Sequence, residues 1–317
     1  LYSPVVVGQM DRCCQFLLAL CIASSSAFAD DHQHSLIVVR SAPVIQRLAV
    51  RVIHPTDVVV AASGDTLVAD KVGKMVFRVD AVDETSILGK ELDGLVRVAD
   101  SRSFGVHALL RDDGKGQIVR LLKTGFREDV CELSFEPAGL GVDAIGNIWT
   151  ANPKTGDVIL LDSTGTQQKA IRLQGIPTDI AVDGLGAVVL LRSGEIVSVS
   201  ADGSWLRVGY VPAAASRLKL TPDHSVVALV TDGDGQSMLV RPTTNRESVD
   251  RFAMVTRGTS AFAFDRLGNL TLANPELPAI TRVTSHFTVP CPHCGQQVPM
   301  LFSTHAPALK TPTRRSF

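Results

Sequence analysis

One unit recurs along this chain about every forty residues, and it limits the fold more than any other feature. Its cleanest copy is residues 176–203, IPTDIAVDGLGAVVLLRSGEIVSVSADG. A Pro-containing lead-in opens an apolar strand ending at Asp183. A turn through Gly184 and Gly186 leads to a second strand, and a Ser-Gly turn at 193–194 to a third. Aligning the end of the first strand gives anchors at Ala61, Ala99, Asp143, Asp183, Thr221 and Asp265, spaced 38, 44, 40, 38 and 44 residues apart. A third strand follows in each copy, as in KMVFRVD (74–80). Several copies add a fourth, as in QQKAIRL (167–173), SWLRVGYV (204–211) and SVDRFAMVT (248–256). No amphipathic helical period interrupts them.

Four short strands per forty residues, separated by Gly and Asp turns, match the blade of a β-propeller. A lone four-stranded sheet exposes two faces and two edges. Radial stacking buries the faces, and closing the ring protects the edges. The sequence therefore predicts an all-β, six-bladed propeller of four-stranded blades. Copy six has strands near 261–264, 269–273 and 279–284 but lacks a fourth, so an N-terminal strand within 44–52, or else 36–40, is expected to close the ring. The domain reading is 1–29 for upstream residues and a leader, 30–285 for the propeller and 286–317 for an irregular Cys/His-containing tail.

At 45% hydrophobic but only 5% aromatic, the core must be filled by Val, Leu, Ile and Ala. With 31 basic and 32 acidic residues, the net charge of −1 gives no general attraction to nucleic acid, and none is expected as a partner. Met10 is the expected start of a leader whose Arg12, apolar FLLALCIA (16–23) and Ala27-Phe28-Ala29 follow the order of an export signal cleaved after Ala29. That apolar run is too short to span a bilayer. The mature chain is expected to be secreted or periplasmic, with no transmembrane segment. Three of the six cysteines (Cys13, Cys14, Cys21) leave with the leader, and Cys131, Cys291 and Cys294 remain.

The repeats PTDIAVDGLG (177–186), GLGVDAIGNIWTAN (139–152) and AFAFDRLGNLTLAN (261–274) resemble those of the NHL-repeat, SMP-30/gluconolactonase-like and virginiamycin B lyase-like six-bladed propellers. The resemblance covers roughly 44–284. It implies the architecture strongly and the activity weakly, since one such fold hosts hydrolases, lyases and binding modules. SMP-30-like enzymes hold a metal with a Glu, Asn and Asp set at the channel mouth. Here the early Glu is replaced by Asp57, which counts against a lactonase. Virginiamycin B lyase-like enzymes use a His and acidic residues with magnesium, and His54 with Asp57 or Asp179 is the version this chain offers.

Where the first strand of each blade reaches the channel, the alignment gives Asp57, Leu95, Gly139, Asp179, Arg217 and Ala261. Thr56, Gly94, Ala138, Thr178, Ser216 and Ser260 precede them. Asp57 and Asp179 fall on opposite blades. With Arg217, Thr56 and Thr178 they form a candidate site for a small molecule or protein partner at the channel face, or for a divalent cation such as calcium, magnesium or zinc. The same aspartates after Pro-Thr also suit local Asx turns. His54 is the candidate general base, beside Asp57 in sequence. Nine residues past the anchors a second column reads Asp70, Asn152, Arg192 and Asn274, the Asp or Asn closing the turn after the second strand. In the tail, Cys291-Pro-His-Cys294-Gly resembles one zinc knuckle and equally suits a short disulfide, while Cys131 reads as a buried thiol. There is no GxSxG, HExxH or phosphate loop. The function expected is binding at the channel face, the alternative being metal-dependent hydrolysis or elimination on a lactone or sugar-derived substrate.

Overall fold

In the computed structural model, the described residues are 44–184 and 186–284, together with the backbone of 288–290 and 297–299. Pro43–Ser285 form one compact unit. It is a ring of six four-stranded antiparallel sheets. In chain order the inner strands are Pro55–Val60, Leu95–Ser101, Leu140–Val142, Pro177–Asp183, Ala215–Leu220 and Ala261–Phe264. Each is followed outward by its second, third and fourth strands in sequence order.

Blade six departs from that order. Its three own strands are completed by Val44–Arg47, which pairs with Ala279–Thr284 in the register Val44↔Thr284 to Arg47↔Thr281. Joining the first described strand to the last blade turns an open array into a ring and removes two sheet edges at once.

The alternation of apolar residues along each strand supplies both faces of each sheet, and the core is divided accordingly. There are six hydrophobic layers among the described residues, one between each pair of neighbouring blades. The layer between blades three and four holds fully buried Trp149 with Val158, Val189 and Val199. The layer between blades six and one packs Ala261, Ala273 and Ile280 on Val58, Val68 and Val79, so closure is an apolar contact as well as a hydrogen-bonded one. Burying each Val or Ile side chain contributes about 1.5–3 kcal/mol. The outermost strands are largely exposed, as Trp205–Tyr210 shows.

Turn chemistry fixes where the strands end. In blade three, Asp143 Oδ1 accepts the Ile145 and Asn147 N–H groups at 3.0 and 2.8 Å, and Oδ2 accepts from the Asn147 amide and the Trp149 indole. Asp265 repeats the pattern with Leu267 and Asn269 in blade six. The second column closes turns as expected. Asn152 Oδ1 accepts from Lys154 N–H, Asn274 Oδ1 from Glu276 and Leu277 N–H, and Asp70 Oδ1 from Gly73 N–H.

Later in the sequence, in a separate unit, Thr288–Pro290 pairs antiparallel with Gln297–Pro299. Cys291 and Cys294 lie outside the described residues, as does the leader. Among the described residues no helix is long and apolar enough to cross a membrane.

Candidate functional site at the channel mouth

The innermost strand of every blade pairs on one side only. Its other edge faces the axis with N–H groups that need partners. In four blades this strand carries a bulge at the same place, where the register with the second strand shifts between Pro55 and Asp57, Leu95 and Arg97, Pro177 and Asp179, and Ala215 and Arg217. A bulge re-aims the side chain that follows it. Around the axis, the residues at this level read Asp57, Arg97, Gly139, Asp179, Arg217 and Ala261.

This corrects one position of the sequence alignment. Leu95 does not stand at the ring; it is fully buried between blades one and two, at the place Pro55 takes in blade one. The inner strand of blade two runs on to Ser101, and its turn, SRSFG, lacks the Asp-x-x-Gly-Asn marker that anchors other copies. The alignment slipped by two residues there and hid Arg97.

The two aspartates act between blades. Asp57 Oδ2 accepts the Val98 N–H of blade two at 3.1 Å, and Asp179 Oδ2 accepts the Leu218 N–H of blade five at 2.8 Å. Each carboxylate satisfies an inner-edge donor of the next blade, and neither closes a local Asx turn. Both are almost wholly buried, Asp57 at 0% exposed and Asp179 at 3%. Their other oxygens meet cations: Lys219 Nζ is 3.4 Å from Asp57 Oδ1, and Arg97 Nη2 is 3.3 Å from Asp179 Oδ1. Arg97 passes over blade three to reach Asp179. A Cβ at Gly139 would sit 2.8 Å from Ile180 N and 3.1 Å from Asp179 Oδ1, so glycine lets the inner strands of blades three and four approach closely beside that carboxylate.

Two further guanidiniums join them. Arg217 donates through Nη1 to its neighbour Ser216 O at 3.1 Å, as Arg97 does to Val96 O. Arg111, from the second strand of blade two, donates to the carbonyls of Pro137 and Ala138 and pairs with Glu136 at 3.3 Å. The Nε atoms of Arg97, Arg111 and Arg217 have no hydrogen-bond partner among the described residues. Burial first, and then the charge of Arg97, pushes Arg217 down to about 10; the same two causes lower Arg111.

Next to this ring lies a cavity of about 260 Å³ that all six inner strands line, through Val59, Val98, Leu140, Ile180, Lys219 and Ala263 among others. The ring residues themselves do not line it; the cavity begins one or two residues further along the same strands, at Val98, Leu140, Ile180 and Lys219.

Of the other sequence candidates, Thr56 and Thr178 are the bulge residues. Their hydroxyls bond across the bulge to Ala69 O at 3.5 Å and Leu190 O at 3.1 Å. His54 is exposed; its backbone N–H is held by Asp70 at 2.9 Å, and its imidazole makes no hydrogen bond to Asp57 or Asp179. Cys131 is a half-buried free thiol pushed up to about 11 by burial. Sequence reasoning missed Arg97, Arg111 and Lys219. Lys219 had a signal, standing two residues beyond Arg217 on the same strand. Arg111 had none, because it enters from a second strand.

The ring does not fit a divalent cation as it stands. Each carboxylate is already engaged by a backbone N–H and a cationic side chain, and four cationic groups face two carboxylates. Among the described residues no group of three or more His, Cys, Asp or Glu side chains is assembled to hold a metal.

No protein-family model matches the chain, and no curated protein matches it in sequence. Solved structures do match in shape. XC5397 from Xanthomonas campestris, described as a gluconolactonase, superposes with a TM-score of 0.61 at 14% identity, over 80% of this chain and 93% of that one. A streptogramin B lyase gives 0.57 at 13% identity, over 77% and 98%. Virginiamycin B lyase from Staphylococcus aureus gives 0.55 at 13% identity, over 77% and 99%. At such identities shape alone is shared: this chain is a six-bladed β-propeller with the fold of the gluconolactonase-like and virginiamycin B lyase-like structures.

Proposed function

We propose that the protein is an exported binding module that takes a ligand or protein partner at the channel mouth. One observation carries this reading. Charged side chains from blades one, two, four and five, far apart in sequence, converge beside a cavity that every blade helps to line. Natural pockets tend to be apolar concavities with a few convergent polar groups. No hydroxyl or thiol among the described residues is hydrogen-bonded to a His, so the mouth is equipped for holding more than for nucleophilic chemistry. Export rests on the leader at residues 10–29.

The test is a thermal-shift screen of the mature chain against a small-molecule library, with Leu220→Trp as the channel-filling variant. A saturating shift in the natural chain that disappears in Leu220→Trp, with the β-sheet circular dichroism unchanged, is the expected result. Hits that bind both forms equally would remove the mouth from consideration. Mass spectrometry of protein recovered from an export-competent host should find Asp30 as the first residue.

The second reading, a metal-dependent hydrolase or lyase acting on a lactone or sugar-derived substrate, is supported by the named structural likenesses. It would make Asp57 and Asp179 metal ligands, His54 the base and Arg217 an anion clamp. Its prediction differs: calcium, magnesium or zinc would raise the melting temperature, and Asp57→Asn with Asp179→Asn would abolish that rise. On our reading none of the three ions binds there.

A further inference from the structure

We infer that the channel mouth is an oxyanion site centred on Arg217, taking the carboxylate or phosphate head of a small molecule whose body is apolar. The inference rests on the reading that the mouth binds a ligand, and adds the chemistry of that ligand.

Charge balance is the first argument. Arg97, Arg111, Arg217 and Lys219 bring four positive charges to the mouth, and Asp57 and Asp179 bring two negative ones. Glu136 at the rim adds a third negative charge beside Arg111, and its side chain is 51% exposed. Asp100, further along the cavity, is engaged by the Ala62 N–H at 3.1 Å. Over the whole channel these four carboxylates match the four cations; at the ring itself, with Arg111 paired to Glu136, Arg97, Arg217 and Lys219 stand against Asp57 and Asp179, and one cation is left over. Guanidinium groups held together without matching carboxylates repel one another, and an arriving anion relieves that repulsion.

The second argument is which cation lacks a partner. Arg97 and Arg217 occupy equivalent positions three blades apart. Arg97 reaches a carboxylate across Gly139. Arg217 stands at the equivalent place relative to Asp57, whose Oδ1 accepts no hydrogen bond and has Lys219 Nζ 3.4 Å away. No carboxylate lies within ion-pair distance of Arg217 among the described residues, and its Nε has no partner. A planar, partly buried guanidinium with unused donors suits two-point capture of a carboxylate or phosphate.

The cavity completes the description. Its volume, about 260 Å³, admits only a small molecule, and apart from Lys219 and Asp100 its walls are aliphatic or aromatic side chains and Gly141. A ligand with its oxyanion at Arg217 would lay a short apolar body along Val59, Leu140 and Ile180.

Isothermal titration of the full chain at fixed ionic strength tests this, with inorganic phosphate, acetate, hexanoate, hexanol and hexylamine as probes. Hexanoate should bind saturably and at least tenfold more tightly than acetate, and more tightly than hexanol or hexylamine. Phosphate binding above acetate would assign the head as a phosphate, and the reverse order as a carboxylate. Arg217→Gln should weaken the bound anion at least tenfold, and Arg217→Lys less. Arg251→Gln, on the exposed outer strand of blade five, should change nothing. Arg217→Gln should melt no lower than the natural chain, since it removes a repelled charge. Unchanged anion affinity in a folded Arg217→Gln variant, or no saturable anion binding at all, would overturn the assignment. Hexanol or hexylamine binding as tightly as hexanoate, and lost in Leu220→Trp, would also overturn it while leaving the mouth a binding site.

Discussion

Blades one to three and blades four to six repeat one another in their channel chemistry, and the place where they differ is the candidate site. Pro-Thr-Asp opens blades one and four (55–57 and 177–179), and Asp-x-x-Gly-Asn with Ala-Asn marks blades three and six (143–152 and 265–274). Blades two and five bring Arg97 and Arg217. The hydrogen bonds repeat too: Asp57 to Val98 N–H matches Asp179 to Leu218 N–H, and Arg97 to Val96 O matches Arg217 to Ser216 O. Three substitutions between the halves break the match. Gly139 becomes Ala261, Ala99 becomes Lys219, and Asp100 becomes Leu220. The first half supplies an arginine that finds a carboxylate, and the second one that does not. A ring repeated without change would pair both arginines; this one leaves Arg217 without a carboxylate at ion-pair distance among the described residues.

The comparison is best tested first through the two aspartates. Asp179→Ala strands Arg97, which is 6% exposed, and leaves the Leu218 N–H unpaired. Removing one partner of a buried pair costs about 3–5 kcal/mol. Asp57→Ala strands Lys219, whose side chain is 21% exposed, and should cost less, about 1–3 kcal/mol for the orphaned Val98 N–H. Urea unfolding of the two variants ranks them; equal losses would mean the halves are not distinguished by pairing.

His107 in blade two offers the next largest effect. It is buried, its Nδ1 has no partner, and burial first, then Arg120, lowers its pKa from 6.5 to about 4. The unfolded chain therefore binds the proton first on acidification. Stability is full above pH 6.5 and falls as the pH drops toward 4, by roughly 3 kcal/mol at 1.36 kcal/mol per pKa unit. Blade five carries Val227 at the equivalent register, so His107→Val should flatten the melting-temperature profile between pH 4 and 6.5. An unaltered profile would place the acid sensitivity elsewhere.

Exchanging the crossing residues sharpens the contrast further. Gly139→Ala puts a Cβ against Ile180 N and Cγ2 at 2.8 and 2.7 Å. Overpacking of this kind costs about 1–3 kcal/mol. Ala261→Gly should cost only about 1 kcal/mol, chiefly through backbone entropy. A Gly139→Ala protein as stable as the natural one would show that the inner strands of blades three and four do not depend on that close approach.

The smallest effect concerns Cys131, which faces blade three where blade five has Ala253. Its thiol is pushed up to about 11 by burial, so at pH 8 it should react with a disulfide reagent far more slowly than free cysteine. Labelling as fast as free cysteine would put the thiol outside the apolar layer.

The repeat period made the blades legible because strand alternation and Gly/Asp turns are local. PTD, DxxGN and AN each satisfy nearby backbone groups, and their hydrogen bonds appear where the pattern put them. That an N-terminal strand closes the ring was legible by subtraction, since a three-stranded sixth copy needs a fourth; the structure decided between 36–40 and 44–52 in favour of Val44–Arg47. The site was legible in part. Asp57, Asp179 and Arg217 stand at the mouth, but blade two has no DxxGN marker, and one two-residue slip replaced Arg97 with Leu95. His54 illustrates the other limit: proximity in sequence to Asp57 says nothing about where an exposed imidazole turns.

The sequence by itself determined how many blades there are, where each begins, and that the core is aliphatic, because those depend on short-range periodicity and on composition. Tertiary structure alone decided which charge meets which. Arg97 and Asp179 are 82 residues apart, and only closing the ring brings them together. Arg97 is then paired with Asp179, whereas the other ring carboxylate, Asp57, is paired with Lys219 and not with Arg217, because pairing is set by which side chains the closed ring places within reach.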